Sequence, residues 1–327
     1  MAAKFEDLLR VARHAMATRF EIALHGGDPA QLRAAAEEAL DEIERLDAML
    51  SPYRAASEIS QLNEQAAEWA VRVSPALFRL LQRAKELSNE TSGAFDLTVG
   101  PLMRCWKEAA NRGQLPHSQE LEAARDAAGM RHVLLDAATF EVRFARPGVR
   151  LDVGAIGKGF ALERAVEILR EAGVTHALLH GGTSTVCALG NQPDGSPWKV
   201  AIDGPPDEGD SSPGGILATV SLREESLSVS AVWGRKFHIQ GREYGHILDP
   251  RTGQSAERVD LAAVVLPSAT ETDALSTALL IAGRAWEGGE MLRRAEMRWL
   301  VLPRANGKER AKPVAQGIEI QAGTTQG

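Results

Sequence analysis

The sequence predicts an α+β fold. Stretches of strand character come in runs with helices interspersed, strict βαβ alternation is missing, and no segment repeats along the chain. Together these favour mixed sheets with helices over a doubly wound parallel sheet. At 327 residues the chain can bury a full core, as one large unit or two smaller ones.

The elements follow in order. TRFEIALH (18–25) alternates Phe20, Ile22 and Leu24 with more polar neighbours, the pattern of a half-buried strand. Gly26-Gly27 turns the chain, Asp28 caps a helix and Pro29 opens it. Leu32, Ala36, Leu40, Ile43, Leu46 and Leu50 then form one apolar stripe that ends near Ser51-Pro52-Tyr53. A second helix is expected over 75–90, with Leu77, Leu80, Leu81, Ala84 and Leu87 inside. From Arg131 the pattern reads as three short strands, HVLLD, TFEVRFA and VRLDV. A Gly-rich turn, 154–159, leads into a helix from about Phe160 to Glu171, which Gly173 is placed to end. Strands are expected again at HALLH (176–180), WKVAI (198–202), ILATVSL (216–222), RKFHI (235–239) and 260–267. An exposed Gly/Pro/Ser/acid loop separates the second and third of these, at 207–215. A helix begins at Ala269. Beyond about Asn306 periodicity fades, leaving GIEIQ (317–321) as an edge strand before a loose tail. The expected organisation is therefore a body over 1–305 and a C-terminal strand and tail over 306–327.

Composition narrows the function. The chain is 44% hydrophobic and 25% charged, ordinary for a globular protein, and its net charge of -7 gives no support to a nucleic-acid reader, which needs a cationic surface. Cys105 and Cys187 stand far apart without CxxC spacing and read as two reduced, buried thiols. No stretch reaches the roughly 18–20 apolar residues of a membrane span. Lys4, Glu6, Asp7, Arg10, Arg13 and His14 interrupt the N-terminal segment, so no secretion signal is expected and the chain as written reads as cytoplasmic. A chain whose leader had been removed would read the same.

Chemistry concentrates in four segments. TSGAFDLTVGP (91–101) places Gly93 and Asp96 around an aromatic, with Gly100-Pro101 ending the element; a helix C-cap running into a capped turn explains it as well as a binding role does. LDVGAIGKG (151–159) precedes a helix, and its glycines, Lys158 and helix N-terminus suit an anion. It is neither a P-loop nor a Rossmann fingerprint, because its order is GxxGxG. HGGTST (180–185) opens backbone and hydroxyls to a ligand, although a plain hairpin turn also accounts for it. The last segment is discontinuous: YGHILDPRTG (244–253) and TDALST (272–277). Asp273 and Thr277, four apart on a helix, share a face and offer two hard oxygens suited to Mg²⁺. A helix-dipole role for Asp273 and a back-bonded role for Thr277 are the structural alternatives. His246 is a candidate acid or base beside an Asp-Pro turn.

In this order, these segments resemble the ApbE family of FAD:protein FMN transferases. The resemblance runs from HAMAT (14–18) to Leu280 through LSPYRAASEISQLN (50–63), TSGAFDLTVGPL (91–102), LDVGAIGKGFALERA (151–165), HGGTSTVCALG (180–190), YGHILDPRTG (244–253) and TDALSTAL (272–279). It implies FAD and Mg²⁺ as substrate and cofactor, and transfer of FMN to a Thr or Ser hydroxyl of an acceptor flavoprotein with release of AMP. It also implies an ApbE-like fold of mixed sheets with flanking helices, which admits two fused halves with the FAD site between them. Carried over by position, Met16, Tyr53, Ala94, Phe95, Asp96, Asp152, Lys158 and Ile247 would contact FAD. Asp273, Thr277 and the Ala155 carbonyl would hold the metal, and His246 or a nearby carboxylate would take the acceptor's proton. The chain departs from the pattern in three places: Ala17 replaces the usual glycine, Glu163 a common Asp, and Ser228-Val-Ser-Ala231 the usual Ser-Thr-Ser-Gly. The last departure bears on one wall of the pocket and keeps open a non-catalytic FAD carrier. An FAD pyrophosphatase, with water as the acceptor, would need the same metal and substrate.

Overall fold

Strand alternation at the N-terminus begins the sheet that organises the molecule. The computed structural model describes residues 8–206, 214–234, 236–283, 294–304 and 311–321. Its strands are β1 (Leu9–Ala15), β2 (Thr18–Leu24), β3 (Val71–Arg72), β4 (Val133–Asp136), β5 (Glu141–Phe144), β6 (Ala177–Gly181), β7 (Thr185–Leu189) and β8 (Trp198–Asp203). They continue as β9 (Ile216–Leu222), β10 (Ser226–Ala231), β11 (Lys236–Ile239), β12 (Arg242–Gly245), β13 (Val259–Leu266), β14 (Arg298–Pro303), β15 (Val314–Gln316) and β16 (Glu319–Ile320). The helices are α1 (Pro29–Leu50), α2 (Glu58–Gln65), α3 (Pro75–Glu90), α4 (Gly100–Arg112), α5 (Ser118–Asp126), α6 (Gly157–Glu171) and α7 (Ala269–Ala282).

The main sheet has the order β1-β2-β6-β7-β10-β13-β14-β15, and every neighbouring pair is antiparallel. The α+β architecture follows: hairpin and crossover connections replace the βαβ units that a parallel sheet requires. Smaller sheets, β3-β5-β4, β16-β9-β8 and the ribbon β11-β12, complete it.

Both faces of the main sheet are covered, which explains why its central strands read as apolar runs. In β13, Ala262, Val264 and Leu266 join the core formed with α1, α6 and α7, while Leu261, Ala263 and Val265 meet Trp198, Ile202, Ala218 and Val220 of the β8–β9 sheet. β7 divides in the same way, with Cys187 and Leu189 on the helix side and Val186 and Ala188 on the other. A third apolar cluster docks α4 and α5 on the β11–β12 ribbon, where the Trp106 ring lies against Phe237 and Tyr244.

Most expected elements stand where the sequence puts them. Asp28 caps α1 through bonds from the Ala30 and Gln31 amides, 3.0 Å each. Both cysteines are free and buried. Several boundaries differ. β1, β3, β7, β10, β12, β14, β15, α2, α4 and α5 are additional. Gly100-Pro101 does not end an element: Pro101 lies in the first turn of α4, where its missing N–H costs nothing. α6 starts at Gly157, so Gly157 and Gly159 belong to its first turn rather than to a preceding loop. VRLDV is not a strand; the Asp152 amide there donates to the Leu97 carbonyl at 2.7 Å. Residues 314–321 return to the body, as β15 on β14 and β16 on β9. Residues 1–7, 207–213, 235, 284–293, 305–310 and 322–327, which include most of the acidic loop and much of the tail, lie outside the described residues. No helix among the described residues is long and apolar enough to cross a membrane.

Candidate functional site

Two tight turns and two strand ends meet at one end of the main sheet. β1 and β2 join through Met16-Ala17 alone, with Ala15 paired to Thr18. A two-residue hairpin of this kind wants positive φ at both positions, and Met16 (φ 50) and Ala17 (φ 58) supply it without a glycine. Beside it lies the β6–β7 turn. Gly182 (φ 68) approaches so closely that a Cβ would sit 2.5 Å from Thr18 Oγ1. The next strand over, β10, ends at this same end with Ala231 opposite Leu261 of β13.

Asp273 is the chemical centre. It sits in the second turn of α7, 4% exposed, and three groups from other elements converge on its carboxylate. The Gly159 amide of α6 donates to Oδ2 at 3.0 Å, Thr185 Oγ1 at the start of β7 donates to Oδ1 at 3.4 Å, and Lys158 Nζ stands 3.5 Å from Oδ1. The approach of α6 to α7 demands glycine at 159, because a Cβ there would lie 2.1 Å from the Ala269 carbonyl oxygen. As a first-turn amide of α6, the Gly159 N–H has no carbonyl partner within the helix. It serves Asp273 instead.

A seam of hydroxyls joins α7 to β10. Ser228 Oγ lies 2.9 Å from Thr272 Oγ1, and Ser230 Oγ lies 2.9 Å from Ser276 Oγ and 3.2 Å from Thr277 Oγ1. Thr277 Oγ1 also donates to the Asp273 carbonyl at 3.4 Å. Strand alternation decides which side each residue of β10 faces. Both serines look toward α7, whereas Val229 and Ala231, the two positions that depart from Ser-Thr-Ser-Gly, pack toward the β8–β9 sheet. The departure therefore lies on the face of β10 opposite Asp273 and Thr277.

The other candidate residues distribute as follows. Ala94 and Phe95 are core residues, and the Phe95 amide donates to Thr91 Oγ1 at 3.0 Å. Asp96 is buried and engaged within the protein: its carboxylate accepts from the Thr98 amide (2.8 Å) and hydroxyl, Ser88 Oγ (3.0 Å) and the Met130 amide (2.9 Å). Asp152 accepts from the Gly154 amide at 2.9 Å, shaping the turn that delivers Ala155 and Lys158. Met16 and Ile247 are partly buried against the main core. His246 faces Gly234, where a Cβ would lie 3.6 Å from His246 Cε1, and Gly93 similarly lies beneath the Arg251 side chain. Tyr53 follows α1 and is 86% exposed, the one candidate whose side chain stands clear of the protein. His180, just before the β6–β7 turn, has its imidazole held below the ordinary range by burial, with Glu21 across the β2–β6 pair acting in the opposite sense.

Lys158, Asp273 and Thr277 are thus brought together, with Ala155 on the same turn as Lys158. Three participants were not singled out from sequence: the Gly159 amide, Thr185 and Ser230. The hydroxyl-rich HGGTST and SVSA motifs carried the signal for the last two; a backbone amide carries none.

A model of the ApbE family matches residues 16–300. An FAD:protein FMN transferase of Treponema pallidum is 31% identical over 268 residues, covering 78% of this chain and 73% of that one. One of Klebsiella pneumoniae is 29% identical over 238 residues, 72% of each. The crystal structure of an ApbE protein from Thermotoga maritima superposes with a TM-score of 0.80 at 27% identity, covering 93% of this chain and 97% of that one. The apo flavinyl transferase ApbE of Pseudomonas stutzeri superposes with a TM-score of 0.78 at 27% identity, covering 94% of each chain. Ordered motifs, a shared fold and a family match across most of its length lead to one conclusion: the chain belongs to the ApbE family.

Proposed function

We propose that this protein is an FAD:protein FMN transferase that works with Mg²⁺, moves FMN from FAD to a Thr or Ser hydroxyl of an acceptor flavoprotein, and releases AMP. The observation that carries the reading is the buried Asp273 carboxylate, held by one short amide bond and two longer contacts at a helix–helix crossing beside hydroxyls and a lysine.

The donor set fits a hard divalent ion. Asp273 supplies charge, Thr277 a neutral oxygen one turn later, and Ala155 a carbonyl in the turn that leads into α6. Among the described residues no group of three or more His, Cys, Asp or Glu is placed to hold a metal ion, so one protein carboxylate would serve with waters and substrate phosphates. That is the usual coordination of Mg²⁺ rather than of zinc. Bound there, the ion would offset negative charge on the pyrophosphate.

The chain's own groups do the rest. Lys158 projects from the first turn of α6, where its charge and the helix N-terminus favour phosphate oxygens. The acceptor hydroxyl oxygen attacks the FMN-side phosphorus in line, the bond from that phosphorus to the bridging oxygen breaks, and AMP departs with that oxygen. The hydroxyl proton goes to His246 or a nearby carboxylate. Val229 and Ala231 face away from this site, so the sequence departure there does not favour a non-catalytic carrier.

The test is incubation of the protein with FAD, Mg²⁺ and candidate acceptor proteins. Flavin fluorescence that survives a denaturing gel, with one AMP per flavin attached, is the expected result. Free FMN and AMP without labelled acceptor would replace transfer by FAD hydrolysis, and tight FAD binding without AMP under any metal would leave only a carrier.

A further inference from the structure

The ammonium of Lys158 stands 3.5 Å from Oδ1 of Asp273, with its own side chain mostly sheltered and the carboxylate almost wholly so. Oδ2 accepts the Gly159 amide at 3.0 Å, whereas Oδ1 holds only the longer Thr185 hydroxyl contact at 3.4 Å beside the ammonium, so Oδ1 is the oxygen a cation would take. An ammonium and a divalent ion cannot both hold it, since at a few ångströms in a partly desolvated site their repulsion is large. Neither can the carboxylate stay buried without a counter-charge. From this the geometry points to Lys158 as an exchangeable counter-ion. It neutralises Asp273 until a divalent cation takes Oδ1, and is then free to turn its flexible four-carbon stem toward the substrate pyrophosphate. Lys158 is thereby a positioning residue that couples metal and nucleotide binding: the cation must evict it, and the pyrophosphate gives it a new partner. This rests on the metal site proposed above.

The consequence runs against the ordinary expectation that removing a site residue weakens binding. Lys158→Met, titrated with Mn²⁺ and followed by electron paramagnetic resonance without nucleotide, should bind the ion about tenfold or more tightly than the unaltered protein. ADP, which carries the pyrophosphate without flavin, should strengthen Mn²⁺ binding to the unaltered protein and do so far less in Lys158→Met. Asp273→Asn separates the two ideas. If it binds Mn²⁺ as well as the unaltered protein, the metal site itself is wrong. If it loses Mn²⁺ while Lys158→Met binds no tighter, the site stands and the exchange is overturned. A measurement on the unaltered protein covers failure of the variant to fold: reaction of the Lys158 amine with an acylating reagent, read by peptide mass spectrometry, should rise with Mg²⁺ alone and fall when ADP is added. An unchanged rate with Mg²⁺ overturns the exchange.

Discussion

At the scale of single residues, Asp273 and Ala17 show opposite uses of local cost. The Asp273 carboxylate is buried in exchange for one short amide bond and two longer contacts, an arrangement better suited to a ligand than to helix stability. Asp273→Asn preserves shape and removes charge. AMP release should fall by about a hundredfold or more, since a lost metal contact withdraws several kcal/mol of charge stabilisation, while the far-ultraviolet spectrum is retained. Thr277→Val, which removes only a neutral oxygen, should be milder. Unchanged Mg²⁺-dependent turnover in the Asn variant would sink the proposed site. Ala17 holds φ 58 in the hairpin beside the site, a conformation that costs a residue with a Cβ about 1–2 kcal/mol. The glycine usual at this position removes that cost, although it also loosens the unfolded chain. Ala17→Gly should therefore raise the urea midpoint, by up to about 1 kcal/mol of stability.

Among elements, the decisive contact is α6 on α7. α7 is buried around nearly its whole circumference, so its polar residues must find partners on its neighbours: Ser228 and Ser230 on β10, Thr185 on β7 and the Gly159 amide on α6. Gly159 permits all of this by letting the helices close. In Gly159→Ala the new methyl would lie 2.8 Å from Asp273 Cβ as well as against the Ala269 carbonyl, and both are backbone or near-backbone atoms that cannot swing aside. Overpacking of this kind costs about 1–3 kcal/mol. The variant should melt several degrees lower and lose more activity than its folded fraction explains, because the displaced helix carries Lys158 and the amide that orients Asp273. Activity per folded molecule equal to that of the unaltered protein would show that the crossing is structural only.

Over the whole molecule, acid should be felt through partly buried histidines. Burial pushes His132, His176 and His180 below their ordinary value of 6.5, with Arg131 and Arg146 adding to the shift at His132 and His25 at His176. A depressed value means that the unfolded chain binds more protons than the fold does, so stability rises with pH in that range. Their contribution is fully present above 6.5 and is lost as pH falls through the lower folded values. The melting temperature should decline from pH 7 toward pH 5, and His180→Gln should flatten part of that decline. A slope that is the same in both proteins would remove His180 from the account.

The sequence by itself determined the α+β class, the cap of α1, the apolar stripes of α1 and α3, just over half of the strands, and the identity of Lys158, Asp273 and Thr277 as a group worth testing. Periodicity and end-signals are local, so they survive without knowledge of neighbours. Only the tertiary structure decided which residues face which. The apolar runs of β7 and β13 hide their alternation because both faces are buried, and no pattern in the chain states that Ser230 looks at Thr277 while Val229 and Ala231 look away. The role of Gly159 was equally out of reach, since a first-turn amide finds a carboxylate 114 residues along the chain only once two helices have packed.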